Sequence, residues 1–185
     1  MVHLFRRIVT AVALHTILQA VSITNAQDDE WELLWSDEFD NNLDASAAGP
    51  NEAYWNIREG FLGLNSEFQT YTSNPDNVRV QDGMLHLTAI RDNHAQVGYT
   101  SGRVNTKDKV LIQYATVEAS IKIPPMKLGL WPAMWTLGQN YDQVGWPAAG
   151  ELDIMEIGQK QGAQEGKLDR RVLSAVHWDA FSHYT

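Results

Sequence analysis

The chain has 185 residues, a formal charge of −9 and no cysteine. That length supports one domain with a sizeable core, and the lack of thiols excludes a small disulfide-stapled scaffold. An acidic chain without a basic cluster is also a poor partner for nucleic acid.

Arg6 and Arg7 precede an apolar run, Ile8 to Leu14, which continues through Ile17, Leu18 and Val21 to Thr24-Asn25-Ala26. A charged start, an apolar middle and small residues at the end make a secretory leader, cut after Ala26. Residues 1–26 are therefore expected to be removed and residues 27–185 to form the domain. His15 and Gln19 interrupt the run, which is short for a membrane span of ~20 apolar residues. The expectation is a secreted, extracellular protein with no membrane attachment after leader removal.

Past a polar lead from Gln27 to Glu30, Trp31 to Trp35 reads as a first strand, followed by an acidic turn from Ser36 to Asp40. Asn41 to Tyr54, rich in Ala, Asn, Gly and Pro, is a loop or a short helical turn. Glu67 to Thr72 has β-type composition and stops at Asn74-Pro75. Val78 to Gln81 and Met84 to Ile90 flank Asp82-Gly83, a strong hairpin signal. Ala115 to Ile123 alternates apolar and polar residues, which predicts one long strand with a buried face, ended by Pro124-Pro125. Leu130 to Leu137, the stretch beginning at Glu151, and Leu173 to Trp178 complete the strands. No sustained 3.6-residue apolar pattern follows the leader. Many strands with turns between them predict an all-β fold, an antiparallel β-sandwich or jelly roll.

The stretch Glu151-Leu152-Asp153-Ile154-Met155-Glu156 places three carboxylates within six residues, between Gly150 and Gly158. On a strand Glu151 and Asp153 share a face, and strict alternation turns Glu156 away. One extra residue, a β-bulge with Met155 as its candidate, returns Glu156 to the same face. A helix is the weaker alternative, because residues five apart diverge by roughly 140°. On a bulged strand the two glutamate backbones lie about 13–15 Å apart at ~3.3 Å per residue. Inclined side chains would bring the carboxyls to about 5–6 Å, near the ~5–5.5 Å of a retaining glycosidase. Spacing alone equally fits a solvated acidic face.

Four of the seven tryptophans, Trp131, Trp135, Trp146 and Trp178, lie near these acids in sequence or on the following strand. Indole suits the C–H face of a sugar ring, though tryptophan is as readily a core residue. Trp131 and Trp135, four apart, face the same way on a strand. His177 could touch a carboxylate or simply sit in a polar sheet face. His86 and His183 carry no such signal. No His-x-x-x-His or equivalent ligand spacing occurs, so no metal is expected, and no Gly-x-Ser-x-Gly supports a serine nucleophile.

Taken together, these residues resemble glycoside hydrolase family 16, in its laminarinase-like, endo-1,3-β-glucanase branch. Glu151 to Glu156 matches the family's E-[LI]-D-[IV]-M-E signature in its bulged form. Matching in the same order are Leu34 to Phe39, Asn65 to Thr72 (N-x-E-x-Q-x-Y-T), Tyr99 to Arg103 (Y-T-S-[AG]-R), Gly129 to Gly138, and Trp146 to Gly150. The resemblance runs from about Trp31 to Trp178. It implies a concanavalin A-like jelly roll with a sugar groove on its concave face. It also implies retaining cleavage of internal β-1,3 or mixed β-1,3/1,4 linkages in a polysaccharide. By analogy Glu151 is the nucleophile, Glu156 the general acid/base and Asp153 the assisting carboxylate, with the raised pKa expected on Glu156. The positions matching sugar contacts are Asn65, Glu67, Arg103, Trp131, Trp135, Trp146 and His177.

Family domains are longer, and this pattern stops at His183-Tyr184-Thr185, so further C-terminal strands are expected beyond it. No cofactor is implied. Some members carry a structural calcium, for which Glu38 would be one ligand, but the residues here do not support the ion. A monomer is expected. Two other readings share the fold: a non-catalytic β-glucan recognition protein, against which the three intact acids argue, and a transglycosylase, which uses the same carboxylates.

Overall fold

The computed structural model describes residues 2–7, 31–40 and 49–179. The described chain is nearly all β, as its turn-punctuated strand pattern predicts. β1 (Val2–Arg7) lies between β2 (Trp31–Asp37) and β11 (Ala115–Ala119), antiparallel to both. β3 (Asn56–Ile57) pairs with β10 (Val104–Asn105). β4 (Gly60–Phe61), β5 (Thr70–Tyr71), β9 (Tyr99–Ser101) and β8 (Ile90–Arg91) form a four-stranded sheet in that order. β6 (Val78–Gln81) and β7 (Met84–Leu87) form a hairpin. The sheet that matters most is β12 (Ala133–Leu137), β13 (Glu151–Ile157) and β14 (Val172–His177), with β13 in the centre.

The expected hairpin is present. Asp82 and Gly83 both take positive φ, +53° and +68°, the pairing a tight primed turn requires to match strand twist. Its β6 strand alternates, with Val78 and Val80 buried, as are Phe39 and Tyr71.

Several strands differ from the expectation. Only Ala115–Ala119 of the segment ending at Ile123 is strand, because its partner β1 begins at Val2, opposite Ala119. Among the described residues, backbone beyond that point has no ladder to join. Of Glu67 to Thr72 only Thr70–Tyr71 pairs, since Asn65 and Ser66 (φ +52° and +59°) turn the chain just before it. The β5–β9 pair is parallel, so the sheets are not wholly antiparallel. β12 begins at Ala133 instead of Leu130, where Pro132 has no N–H to give, although its carbonyl still accepts from Ile157 N at 3.1 Å. Val2–Arg7, assigned by sequence to the leader, forms β1; residues 8–30 of that leader and lead segment lie outside the described residues, as do the chain's last residues from 180 to 185.

Two short helices, α1 (Tyr141–Val144) and α2 (Lys160–Gln164), sit in the connections either side of β13. Neither is long enough to show a helical period in sequence. Two glycines let the β12–β13 hairpin close. A Cβ on Gly138 would lie 1.9 Å from the Ala149 carbonyl oxygen, and one on Gly158 (φ +105°) 2.0 Å from that of Leu130. No other residue fits at such approaches.

Candidate active site

The register of β13 shows how one extra residue reshapes the acidic stretch. Against β12, Glu151 opposes Leu137, Asp153 opposes Trp135, Met155 opposes Met134 and Glu156 opposes Ala133. Against β14, Asp153 opposes Ala175 and Glu156 opposes Leu173. Ala133 and Trp135 are two apart and share a face, as do Leu173 and Ala175. Directly opposed residues also share a face. Glu156 therefore stands on the same side as Glu151 and Asp153. The expected bulge is present, but its extra residue against β12 is Ile154, since Met155 keeps a partner. Ser174 Oγ donates to the Ile154 carbonyl oxygen at 2.9 Å and satisfies the acceptor that the bulge displaces.

The side chains on this face join into one group. His177, opposite Glu151 on β14, lies with its Nε2 3.1 Å from Asp153 Oδ2. Asp153 is buried, so this contact holds a carboxylate that has left water. Trp131 Nε1 donates to Glu156 Oε1 at 3.0 Å, reaching the acid from outside the strand. The Trp146 ring lies 5.6 Å from that of His177. Arg103 stacks its guanidinium on Trp135, 4.9 Å from the ring centroid, with Tyr71 on another side at 5.7 Å.

Crowding shows in the ionisation. The Glu151 carboxyl is pushed up from the ordinary glutamate value, first by burial and then by the charge of Asp153; His177 opposes the rise and Glu156 adds to it. The sequence reading put the raised group at Glu156, and the structure raises Glu151. Partial burial of the Glu151 carboxyl is the first cause, and Asp153 on the same face two residues away adds to it.

Glu151, Asp153 and His177 each bring a polar atom within 4.8 Å of the other two. Those donor types would suit a divalent cation, but one held there would neutralise the carboxylates and occupy His177. No three-donor cluster among the described residues includes Glu38. Asp37 beside it already accepts from Phe39 N and Trp55 Nε1, so no role is derived for calcium.

Of the expected sugar-contacting positions, Arg103, Trp131, Trp135, Trp146 and His177 gather at the carboxylate sheet. Glu67 joins through Tyr71, which is beside Arg103. Asn65 lies in the exposed turn before Glu67, with no hydrogen bond to the carboxylate strand among the described residues. Gln69 and Tyr71 escaped the sequence reading. Gln69 Nε2 donates to Glu67 Oε2 and to Tyr71 Oη, both at 2.8 Å, and Tyr71 Oη donates to Glu67 Oε2 at 3.0 Å. The signal was the two-residue spacing of 67, 69 and 71, which puts all three on one side of an extended chain. A separate cavity of about 840 Å³, lined by Asp37, Phe39, Trp55, Val78 and Val80 among others, includes no β13 residue.

The family model described as "Beta-glucan synthesis-associated protein SKN1/KRE6/Sbg1" matches residues 2–152. A solved Bacteroides ovatus GH16 protein from a mixed linkage glucan PUL, in complex with a G4G4G3G product, matches with 36% identity and a TM-score of 0.66, covering 77% of this chain and 56% of that one. The chain belongs to glycoside hydrolase family 16, in the wide sense that takes in the SKN1/KRE6/Sbg1 proteins. Its fold is that family's β-jelly roll. Among family relatives, the "Beta-glucanase" of Rhodothermus marinus is 33% identical over 181 residues, covering 94% of this chain and 59% of the relative. The "Glucan endo-1,3-beta-glucosidase A1" of Niallia circulans is 34% identical, covering 79% and 22%. The chain thus spans 59% and 22% of the two relatives' lengths.

Proposed function

We propose that this family 16 chain is a catalytic region of a retaining endo-β-glucanase that cuts internal β-1,3 or mixed β-1,3/1,4 linkages. The observation that carries the reading is the bulge at Ile154–Met155, which sets Glu151, Asp153 and Glu156 on one face. Glu151 attacks the anomeric carbon while Glu156 gives its proton to the departing glycosidic oxygen; a glycosyl ester on Glu151 results. Glu156, now a carboxylate, takes a proton from water, and the resulting nucleophile displaces Glu151 with net retention. No cofactor takes part.

Before attack, Glu151 must be ionised, and burial with the charge of Asp153 makes that carboxylate less comfortable than an ordinary one. Asp153 lies beside Glu151 and is paired with His177. His177 thereby acts on Asp153 more directly than on sugar. Trp131, Trp135 and Trp146 offer ring faces to pyranose C–H groups, and Asn65, Glu67 and Arg103 offer polar atoms to the hydroxyl rim. The leader motif supports export, with cleavage after Ala26 and an extracellular product, which we take to be a monomer. No described helix is long and apolar enough to cross a membrane.

The deciding experiment is release of reducing ends from laminarin. Wild type should release them, and Glu151→Gln should reduce turnover by roughly 10³-fold or more while leaving glucan binding intact. Near-normal turnover in that variant would remove Glu151 as nucleophile. A second reading is favoured by the synthesis-associated description of the matching family model: a sugar hydroxyl, instead of water, takes the glycosyl group. Chromatography of products separates the two, since transfer yields oligosaccharides longer than the input.

A further inference from the structure

Glu67 and Arg103 are 36 positions apart in sequence, yet one residue touches both. Tyr71 is buried, with its hydroxyl on Glu67 and its ring beside the Arg103 guanidinium. Gln69 closes a triangle by donating one N–H to Glu67 and the other to the Tyr71 hydroxyl. Both hydrogen bonds to Glu67 end on Oε2. Among the described residues Oε1 keeps its acceptor capacity free, while rotation of the carboxylate is blocked. Burial and the nearby Glu67 charge push the Tyr71 phenol up, which keeps its proton available for donation.

Arg103 is held just as firmly. Trp135 and Tyr71 flank its guanidinium, and Trp135 is the residue opposite Asp153. Its backbone carbonyl accepts from Arg58 N at 2.8 Å. The preceding Gly102 presses on Asn77, where an added Cβ would meet the carbonyl oxygen at 2.5 Å. Asn77 is itself buried and donates to Thr88 O and Thr100 Oγ1. The link between β9 and β10 that delivers Arg103 is therefore closely seated.

We propose that Tyr71 and Gln69 are positioning residues that lock Glu67 and Arg103 into one rigid unit for reading the hydroxyl rim of a β-glucan beside the carboxylate strand. The unit presents an acceptor and a multidentate donor on fixed supports, which suits the paired donor and acceptor character of adjacent sugar hydroxyls. This inference rests on the glucanase reading. Tyr71 and Gln69 touch no reacting atom, so their effect passes through Glu67 and Arg103 and belongs in ground-state binding.

The test is a double-mutant cycle with the full chain on laminarin, reading KM and kcat separately. Tyr71→Phe keeps the ring against Arg103 and removes the hydroxyl. It should raise KM roughly five- to tenfold, the scale of one hydrogen bond to a charged group, with kcat within about twofold. In a Glu67→Gln background the same change should add little, because the carboxylate it positions is gone. A penalty of equal size in both backgrounds would mark Tyr71 as merely structural and overturn the inference. Should Tyr71→Phe fail to fold, Gln69→Ala leaves the buried ring in place and runs the same cycle. A wild-type chain that turns over no β-glucan would overturn the glucanase reading, and this inference with it; an active wild type with an additive cycle overturns the inference alone.

Discussion

Glu151 shows how a single carboxyl can link stability to chemistry. Its folded-state pKa lies above the ordinary glutamate value through burial and the Asp153 charge. The folded chain therefore holds that proton more tightly than the unfolded chain does. The associated stability is fully present below the ordinary glutamate range, and is lost as pH rises through the raised value. Glu151→Gln never ionises. The variant should thus have a higher Tm than wild type at neutral pH, with the gap closing as pH falls below the glutamate range. Thermal scans of both proteins across pH check this. A gap that stays constant with pH would show that Glu151 carries no unfavourable charge in the fold.

At the scale of the element, β13 works because it carries one residue too many. Removing Ile154 leaves Glu156 two positions after Asp153, so plain alternation keeps the three acids on one face. Inserting one further residue after Ile154 should instead turn Glu156 to the face of Leu152 and bring Ile157, 4% exposed at present, toward the acids. Losing that burial costs about 1.5–3 kcal/mol, while the acid/base leaves the site entirely. We expect the insertion to abolish release of reducing ends and to lower Tm, whereas deletion of Ile154 and Ile154→Ala, both of which keep Glu156 on the acid face, should retain activity. Turnover by the insertion within tenfold of wild type would mean that strand parity does not place Glu156. Gly138 and Gly158 serve the same element from outside, by letting neighbouring carbonyls approach where any side chain would collide.

For the whole molecule, the placement of β1 bears on the proposed export. Val2–Arg7 lies between β2 and β11 and pairs with both. Cleavage after Ala26 would take that strand away and leave two rows of unpaired backbone groups facing one another. The secreted protein should begin at Gln27 on N-terminal sequencing. In it, amides of Trp31–Asp37 and Ala115–Ala119 should exchange with solvent faster than in the chain that retains residues 1–26. Equal protection in the two forms would mean that β1 contributes no stable pairing. An N-terminus at Met1 on the exported protein would overturn cleavage.

What the sequence alone determined is local. Asp82-Gly83 dictated a hairpin because only such residues accept two consecutive positive φ angles. The spacing of Glu151, Asp153 and Glu156, with one extra residue, dictated a shared face because strand side chains alternate. The order of motifs was enough to reveal the family. The tertiary structure decided everything that depends on cross-strand register: the pairing of His177 with Asp153, the reach of Trp131 to Glu156, and the stacking of Arg103 on Trp135. It also decided that Glu151 carries the raised pKa and that Gln69 and Tyr71 stand behind Glu67. Periodicity is a property of one strand's backbone and can be read along the chain. A proton's preferred site and a guanidinium's resting place depend on burial and neighbours, which arise only when distant strands pack.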